Sequence, residues 1–136
     1  MLNRFVPRVL GVLLLCLGVL VAGCSSGGTG TGTGTGGDAP GWARGMATVQ
    51  VDRLPAEARQ TLRRIDDGGP FPYGKDGTVF GNFERELPRR GRGYYHEYTV
   101  RTPGERDRGA RRIVTGSGEE IYYTDDHYAS FKAVLR

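Results

Sequence analysis

Glu97 stands in the middle of Tyr94-Tyr95-His96-Glu97-Tyr98-Thr99-Val100. Strand alternation sends Tyr95, Glu97 and Thr99 to one face, and Tyr94, His96, Tyr98 and Val100 to the other. A carboxylate among aromatic side chains is expensive unless it is paired. The next segment offers Arg108 and Arg112. Arg112 alternates with Ile113, so Arg112 shares the face of Glu97 while Ile113 turns to the core. One acid and two arginines on one face make either a structural ion network or a general base beside an anion clamp. His127 then falls in a turn, flanked by Asp125, Asp126 and Tyr128. A loop histidine near aromatic residues can serve as a general acid near neutral pH.

These side chains need a scaffold. Leu54-Pro55-Ala56-Glu57 reads as a helix start, with Pro where a missing N–H costs nothing and an acid that suits the dipole. Ala58, Leu62 and Ile65 recur at helical spacing, and Asp66-Asp67-Gly68-Gly69-Pro70 ends the helix. Strand candidates follow at Thr78–Phe80, Tyr94–Arg101, Ala110–Thr115, Glu120–Thr124 and Ser130–Leu135. Pro103-Gly104, Gly116-Ser117-Gly118 and Asp125-Asp126 separate the later ones. The pattern predicts an α+β domain: one N-terminal helix packed on a four- to five-stranded antiparallel sheet. A helix covering one face leaves the other open for a site.

The chain has 136 residues and a net charge of +4. Residues 46–136 form the expected domain, enough for one modest core. That excludes a barrel enzyme, a two-domain dehydrogenase and a multi-span membrane protein. Cys16 and Cys24 both precede it, and the chain has only two histidines, so neither a disulfide nor a zinc site is expected there, and no cofactor. From Arg85 to Arg112 there are nine Arg against four acids. Such a block favours a phosphate partner or is simply a soluble Arg-rich surface. On an exposed sheet face, Glu97, Arg108, Arg112 and His127 together describe an RNA-cleaving site.

The first quarter of the chain carries different signals. Arg4 and Arg8 precede an apolar run from Val9 to Val21, too short for an ordinary membrane-spanning helix. Val21-Ala22-Gly23-Cys24 resembles a bacterial lipobox, which implies a signal peptide over 1–23 and lipidation of Cys24; an ordinary cleaved signal is the alternative. Residues 24–45 read as a Gly/Thr-rich tether with a reach of roughly 25 Å. Trp42 is expected to cover the domain edge.

Further motifs make a family legible. Gly69-Pro70-Phe71-Pro72-Tyr73, Asp76-Gly77-Thr78-Val79-Phe80-Gly81-Asn82, Tyr94 to Val100, Thr102-Pro103-Gly104, Arg108 to Ile113, and Tyr122-Tyr123-Thr124-Asp125-Asp126-His127-Tyr128 stand in one order. Over Val49 to Arg136 the chain resembles the small secreted guanyl-specific ribonucleases, in the streptomycete branch of the group that includes barnase.

The resemblance implies Glu97 as catalytic base, His127 as catalytic acid, and Arg108 and Arg112 as ligands of the scissile phosphate. It implies Glu84 as the carboxylate that reads guanine, with the backbone of Gly81, Asn82 and Phe83 lining the base loop. Tyr73 and Tyr128 match tyrosines at the base and phosphate sites. The implied substrate is single-stranded RNA, cut 3′ of guanine through a 2′,3′-cyclic phosphate without a metal. The protein is expected to be a monomer outside the bacterial membrane, held by a lipid anchor or secreted. A catalytically weak RNA-binding module and a secreted toxin, the latter with a small acidic protein inhibitor, are the alternatives. Phe83 stands where relatives carry Arg, which implies weaker phosphate steering. Gln50 stands at the first position of the relatives' disulfide, and the chain ends near Arg136, before the second.

Overall fold

The computed structural model describes residues 39–136. The expected signal peptide, Cys16, Cys24 and the tether up to residue 38 lie outside the described residues. One helix, α1 (Ala56–Asp67), packs on a six-stranded sheet. The strands are β1 (Ala47–Gln50), β2 (Thr78–Phe80), β3 (Tyr95–Thr99), β4 (Arg112–Gly116), β5 (Ile121–Thr124) and β6 (Lys132–Leu135). Their order across the sheet is β1-β6-β5-β4-β3-β2.

The α+β class matches the expectation, but the sheet is larger and mixed. β1 pairs with β6 in parallel, from Ala47 beside Lys132 to Gln50 beside Leu135. The other neighbours are antiparallel. β1 escapes sequence reading because only Val49 of its four residues is even partly buried. An edge strand without an apolar alternation gives no period to detect.

The helix forms where expected. Pro55 precedes it, Glu57 lies in its first turn, and Gly68 ends it with φ 76°. In that left-handed conformation, which Gly adopts without a Cβ penalty, the Gly69 N–H reaches the Arg64 carbonyl at 2.8 Å. Ala58 and Leu62 pack with Val100, Ile113, Tyr123 and Val134 to form the core under the helix.

The opposite face is not simply open. Tyr95, Val114, Tyr122, Phe131 and Ala133 form a second core, closed by Leu87 and by Ala43 from the N-terminal side. The boundary expected after residue 45 therefore lies earlier. A short 3-10 turn, Gly41–Ala43, carries Ala43 at 1% exposure. Beside it Trp42 sits edge-on to Tyr122 at 5.5 Å. Among the described residues, the apolar cluster on this face gives way to polar side chains at the end that carries Thr99, Arg112 and Thr124.

Candidate active site

Strand register places the chemistry at that polar end. On the second face, Thr78, Glu97, Val114, Tyr122 and Ala133 stand in one row across five strands. The next row is Thr99, Arg112 and Thr124, all buried. The apolar core thus passes into a polar row within one pleat, and Glu97 sits at the step.

Glu97 is held from two sides. Arg108 Nη2 donates to its Oε1 at 3.1 Å, and the Tyr128 hydroxyl donates to its Oε2 at 2.6 Å. Its side chain is only 13% exposed. Arg108 is itself braced by a 2.9 Å bond from Nε to Thr99 Oγ1. Arg112 Nε donates to the Tyr128 oxygen at 3.0 Å, and its Nη1 binds the carbonyls of Gly109 and Arg111 at 2.8 Å. Arg108 Nη1 and Arg112 Nη2 make no hydrogen bond among the described residues. The Tyr128 hydroxyl titrates above its ordinary range, chiefly because it is buried and secondly because it is bonded to Glu97.

His127 reaches the site on a strained turn. His127 and Tyr128 have φ of 60° and 72°. Such values are uncommon for residues with a Cβ, so the surroundings must enforce them. Asp126 supplies the enforcement. Its carboxylate accepts from Thr124 Oγ1 at 2.8 Å, from the Ser130 N–H at 2.9 Å and from the Ser130 hydroxyl at 2.5 Å. These bonds, led by the Ser130 hydroxyl, hold the Asp126 pKa at about 2. The His127 N–H donates to the Ala110 carbonyl at 3.1 Å, tying the turn to the arginine segment. The His127 ring stacks on Tyr128 at 5.6 Å, and Tyr128 stacks on Phe80 at 5.1 Å.

A cavity of about 380 Å³ brings Glu97, His127 and Tyr128 together with Gly81, Asn82, Phe83 and Glu84. Asn82 has φ 50° and acts inside the loop. Its Nδ2 donates to the Leu87 carbonyl at 2.8 Å, and its Oδ1 accepts from the Leu87 N–H at 3.0 Å. Backbone N–H groups of Asn82, Phe83 and Glu84 have no acceptor among the described residues. A Cβ at Gly81 would meet the Phe83 ring, which is exposed and would have to swing aside. Three expected site residues lie outside the lining of this cavity: Arg108 and Arg112, which meet it through Glu97 and Tyr128, and Tyr73, half-buried in the 71–77 turn.

Sequence reasoning missed Lys75, Thr78, Phe80, Glu86 and Phe131 in the lining. Thr78 pairs directly with Glu97, so the register of β2 on β3 was the signal that could have found it. Among the described residues no cluster of His, Cys, Asp or Glu is placed to hold a metal ion.

Comparison with known proteins identifies the family. A family model described as ribonuclease matches residues 39–135. Guanyl-specific ribonuclease St of Saccharopolyspora erythraea is 52% identical over 99 residues, 72% of this chain and 98% of that protein. Guanyl-specific ribonuclease Sa of Kitasatospora aureofaciens is 57% identical over 88 residues, 64% of this chain and 92% of that protein. Ribonuclease Sa2, solved in complexes with mononucleotides, superposes with a TM-score of 0.66 at 50% identity, covering 67% of this chain and 95% of that one. A second Sa2 structure, with guanosine-2′-cyclophosphate, gives 0.64 at 51% identity, covering 66% of this chain and 96% of that one. The chain belongs to the microbial guanyl-specific ribonuclease family.

Proposed function

We propose that this protein is an endoribonuclease that cuts single-stranded RNA on the 3′ side of guanosine through a 2′,3′-cyclic phosphate. The observation that carries the reading is the Glu97 carboxylate, braced by Arg108 and Tyr128 in a cavity that also receives His127 and the 81–84 loop. Glu97 takes the proton of the 2′-hydroxyl, the group that distinguishes RNA from DNA. The freed oxygen attacks the adjacent phosphorus, and the bond to the 5′-oxygen breaks. His127 gives that leaving oxygen its proton. Arg108 and Arg112 stabilise the charge that develops on the phosphate. In the second step water replaces the leaving group and the two residues exchange roles.

Guanine specificity follows from Glu84 and the loop backbone. N1–H and N2–H are adjacent donors for one carboxylate, and O6 needs N–H donors of the kind left unpaired at Asn82, Phe83 and Glu84. Asn82 serves here as the latch of the loop, and Tyr128 as the link between base and clamp. Glu84→Ala should erode the preference for GpC over ApC by ~1–3 kcal/mol while leaving slow cleavage of ApC nearly intact. His127→Ala should lower both substrates by roughly 10² or more. Equal losses on both substrates for Glu84→Ala would remove Glu84 from base reading.

Export and anchoring belong to the same proposal. Val21-Ala22-Gly23-Cys24, followed by Ser25-Ser26 and a Gly/Thr repeat, supports lipidation at Cys24 and display outside the membrane. Cys24→Ser should then release the protein from the membrane fraction. Unchanged partition would refute the anchor.

A further inference from the structure

The segment Val79–Phe83 is a wall with two sides. One side is the cavity that holds Glu97 and His127. The other opens into a second cleft of about 390 Å³, lined by the same five residues and by Arg85, Arg89, Arg90, Arg92 and Tyr95. Carboxylates predominate in the first, beside Lys75, while arginines alone carry charge in the second. Glu84 and Glu86 line the first cavity, and Arg85 lines the second. Among the described residues none of these four arginines forms an ion pair. Arg90 packs over the Tyr94 ring at 5.2 Å, which leaves its charge uncompensated while restricting its side chain. Phe83 crowns the wall, lines both clefts and is 93% exposed.

An exposed aromatic ring beside unpaired guanidinium groups has the two parts needed to bind single-stranded nucleic acid: a surface on which a base stacks, and cations along which a backbone runs. We propose that the arginine cleft extends the RNA site, carrying nucleotides that flank the cleaved guanosine. Phe83 stacks a neighbouring base at the ridge, and Arg85, Arg89, Arg90 and Arg92 hold flanking phosphates. This rests on the ribonuclease reading above. RNA is favoured over another anionic partner because the two clefts share one wall. A strand seated in the first has only Phe83 to cross before it meets the cations.

The test replaces the four arginines together (Arg85→Gln, Arg89→Gln, Arg90→Gln, Arg92→Gln) in the full chain. Two substrates are compared, GpC and an oligouridine of about 12 nucleotides with one central guanosine, a length suited to sites of ~4–16 nucleotides. The variant should keep kcat/KM on GpC within about twofold and lose roughly tenfold on the oligomer. The slope of log kcat/KM against log salt on the oligomer should flatten by about 1.4–2.8, as for two to four phosphate contacts at ~0.7 each. In a Glu97→Gln background, Phe83→Ala should weaken binding of guanosine-free oligouridine roughly fivefold or more. An unchanged oligomer-to-dinucleotide ratio and salt slope overturn the proposal. If the variant instead loses only binding to phosphatidylglycerol vesicles, the cleft faces a membrane and the proposal is again overturned. If the wild type leaves GpC uncut, the catalytic reading falls. The salt dependence of guanosine-free oligouridine binding, with and without the four arginines, then still decides whether the cleft holds RNA.

Discussion

Asn82 offers the sharpest test of how the base loop is built. Its side chain closes the loop with two hydrogen bonds to Leu87, at 2.8 and 3.0 Å, while its own backbone sits at φ 50°. Asn82→Ala removes both bonds, at ~0.5–1.5 kcal/mol each, and leaves Ala in the left-handed region, which costs about 1 kcal/mol more. The expected destabilisation is therefore about 2–4 kcal/mol. Asn82→Gly removes the same bonds and relieves the strain, so it should be more stable than the Ala variant by about 1 kcal/mol. Urea unfolding of the two variants measures that difference directly. In both, the GpC-to-ApC ratio of kcat/KM should fall roughly tenfold, since ~1.4 kcal/mol of base discrimination is a factor of ten. Cleavage of ApC should change far less, because Asn82 is not among the partners of Glu97, Arg108 or Arg112. Ala and Gly variants of equal stability, with base preference intact, would refute the account of Asn82 as a strained latch.

Three further outcomes are expected. Tyr128→Phe keeps the ring that stacks on Phe80 and His127 but removes the hydroxyl between Glu97 and Arg112. It should lower the unfolding free energy by about 1.5–3 kcal/mol and kcat/KM on GpC by roughly tenfold, and a variant equal to wild type in both would break the link between ring and clamp. Asp126 has its folded pKa depressed to about 2, so the stability it contributes is present above its ordinary 3.8 and is lost as pH falls towards 2. Acid titration of Asp126→Asn should show a shallower loss over that window, and an identical curve would mean that Ser130 and Thr124 do not hold the carboxylate. Tyr95, Tyr122, Tyr123 and Tyr128 all have raised pKa values, chiefly from burial. Their contribution is intact below pH ~10 and disappears as pH rises through the folded values, so tyrosine absorbance and unfolding should move together in alkali; free titration before unfolding would contradict it.

Much of this was legible in the chain itself. The alternation around Glu97 assigns Tyr95 to one face and Tyr98 and Val100 to the helix side, as the two cores have it, but Tyr94, expected with Tyr98 and Val100, packs against the second core because it precedes the start of β3. The helix announces itself through Pro55, Glu57 and Gly68. β1 does not, because its four residues carry no apolar alternation. The second core was missed for a related reason. Leu87 and Ala43 lie in irregular segments, where burial has no period. Asn82 shows the limit of carrying a role by position, since its side-chain amide is spent within the loop. Tyr73 stands apart because a turn residue's direction depends on long-range packing.

The parallel pairing of β1 with β6 also sets the order in which the enzyme can come into being. Ala47 finds its partner only when Lys132 has been made, and His127 and Tyr128 lie just before β6 in sequence. The residues of α1 are made well before them. Until that stretch has been made, a nascent chain lacks the proposed acid, the Tyr128 bridge and the strand that joins β1 to β5. A growing ribonuclease of this topology therefore has no assembled site until the segment from His127 through β6 is in place.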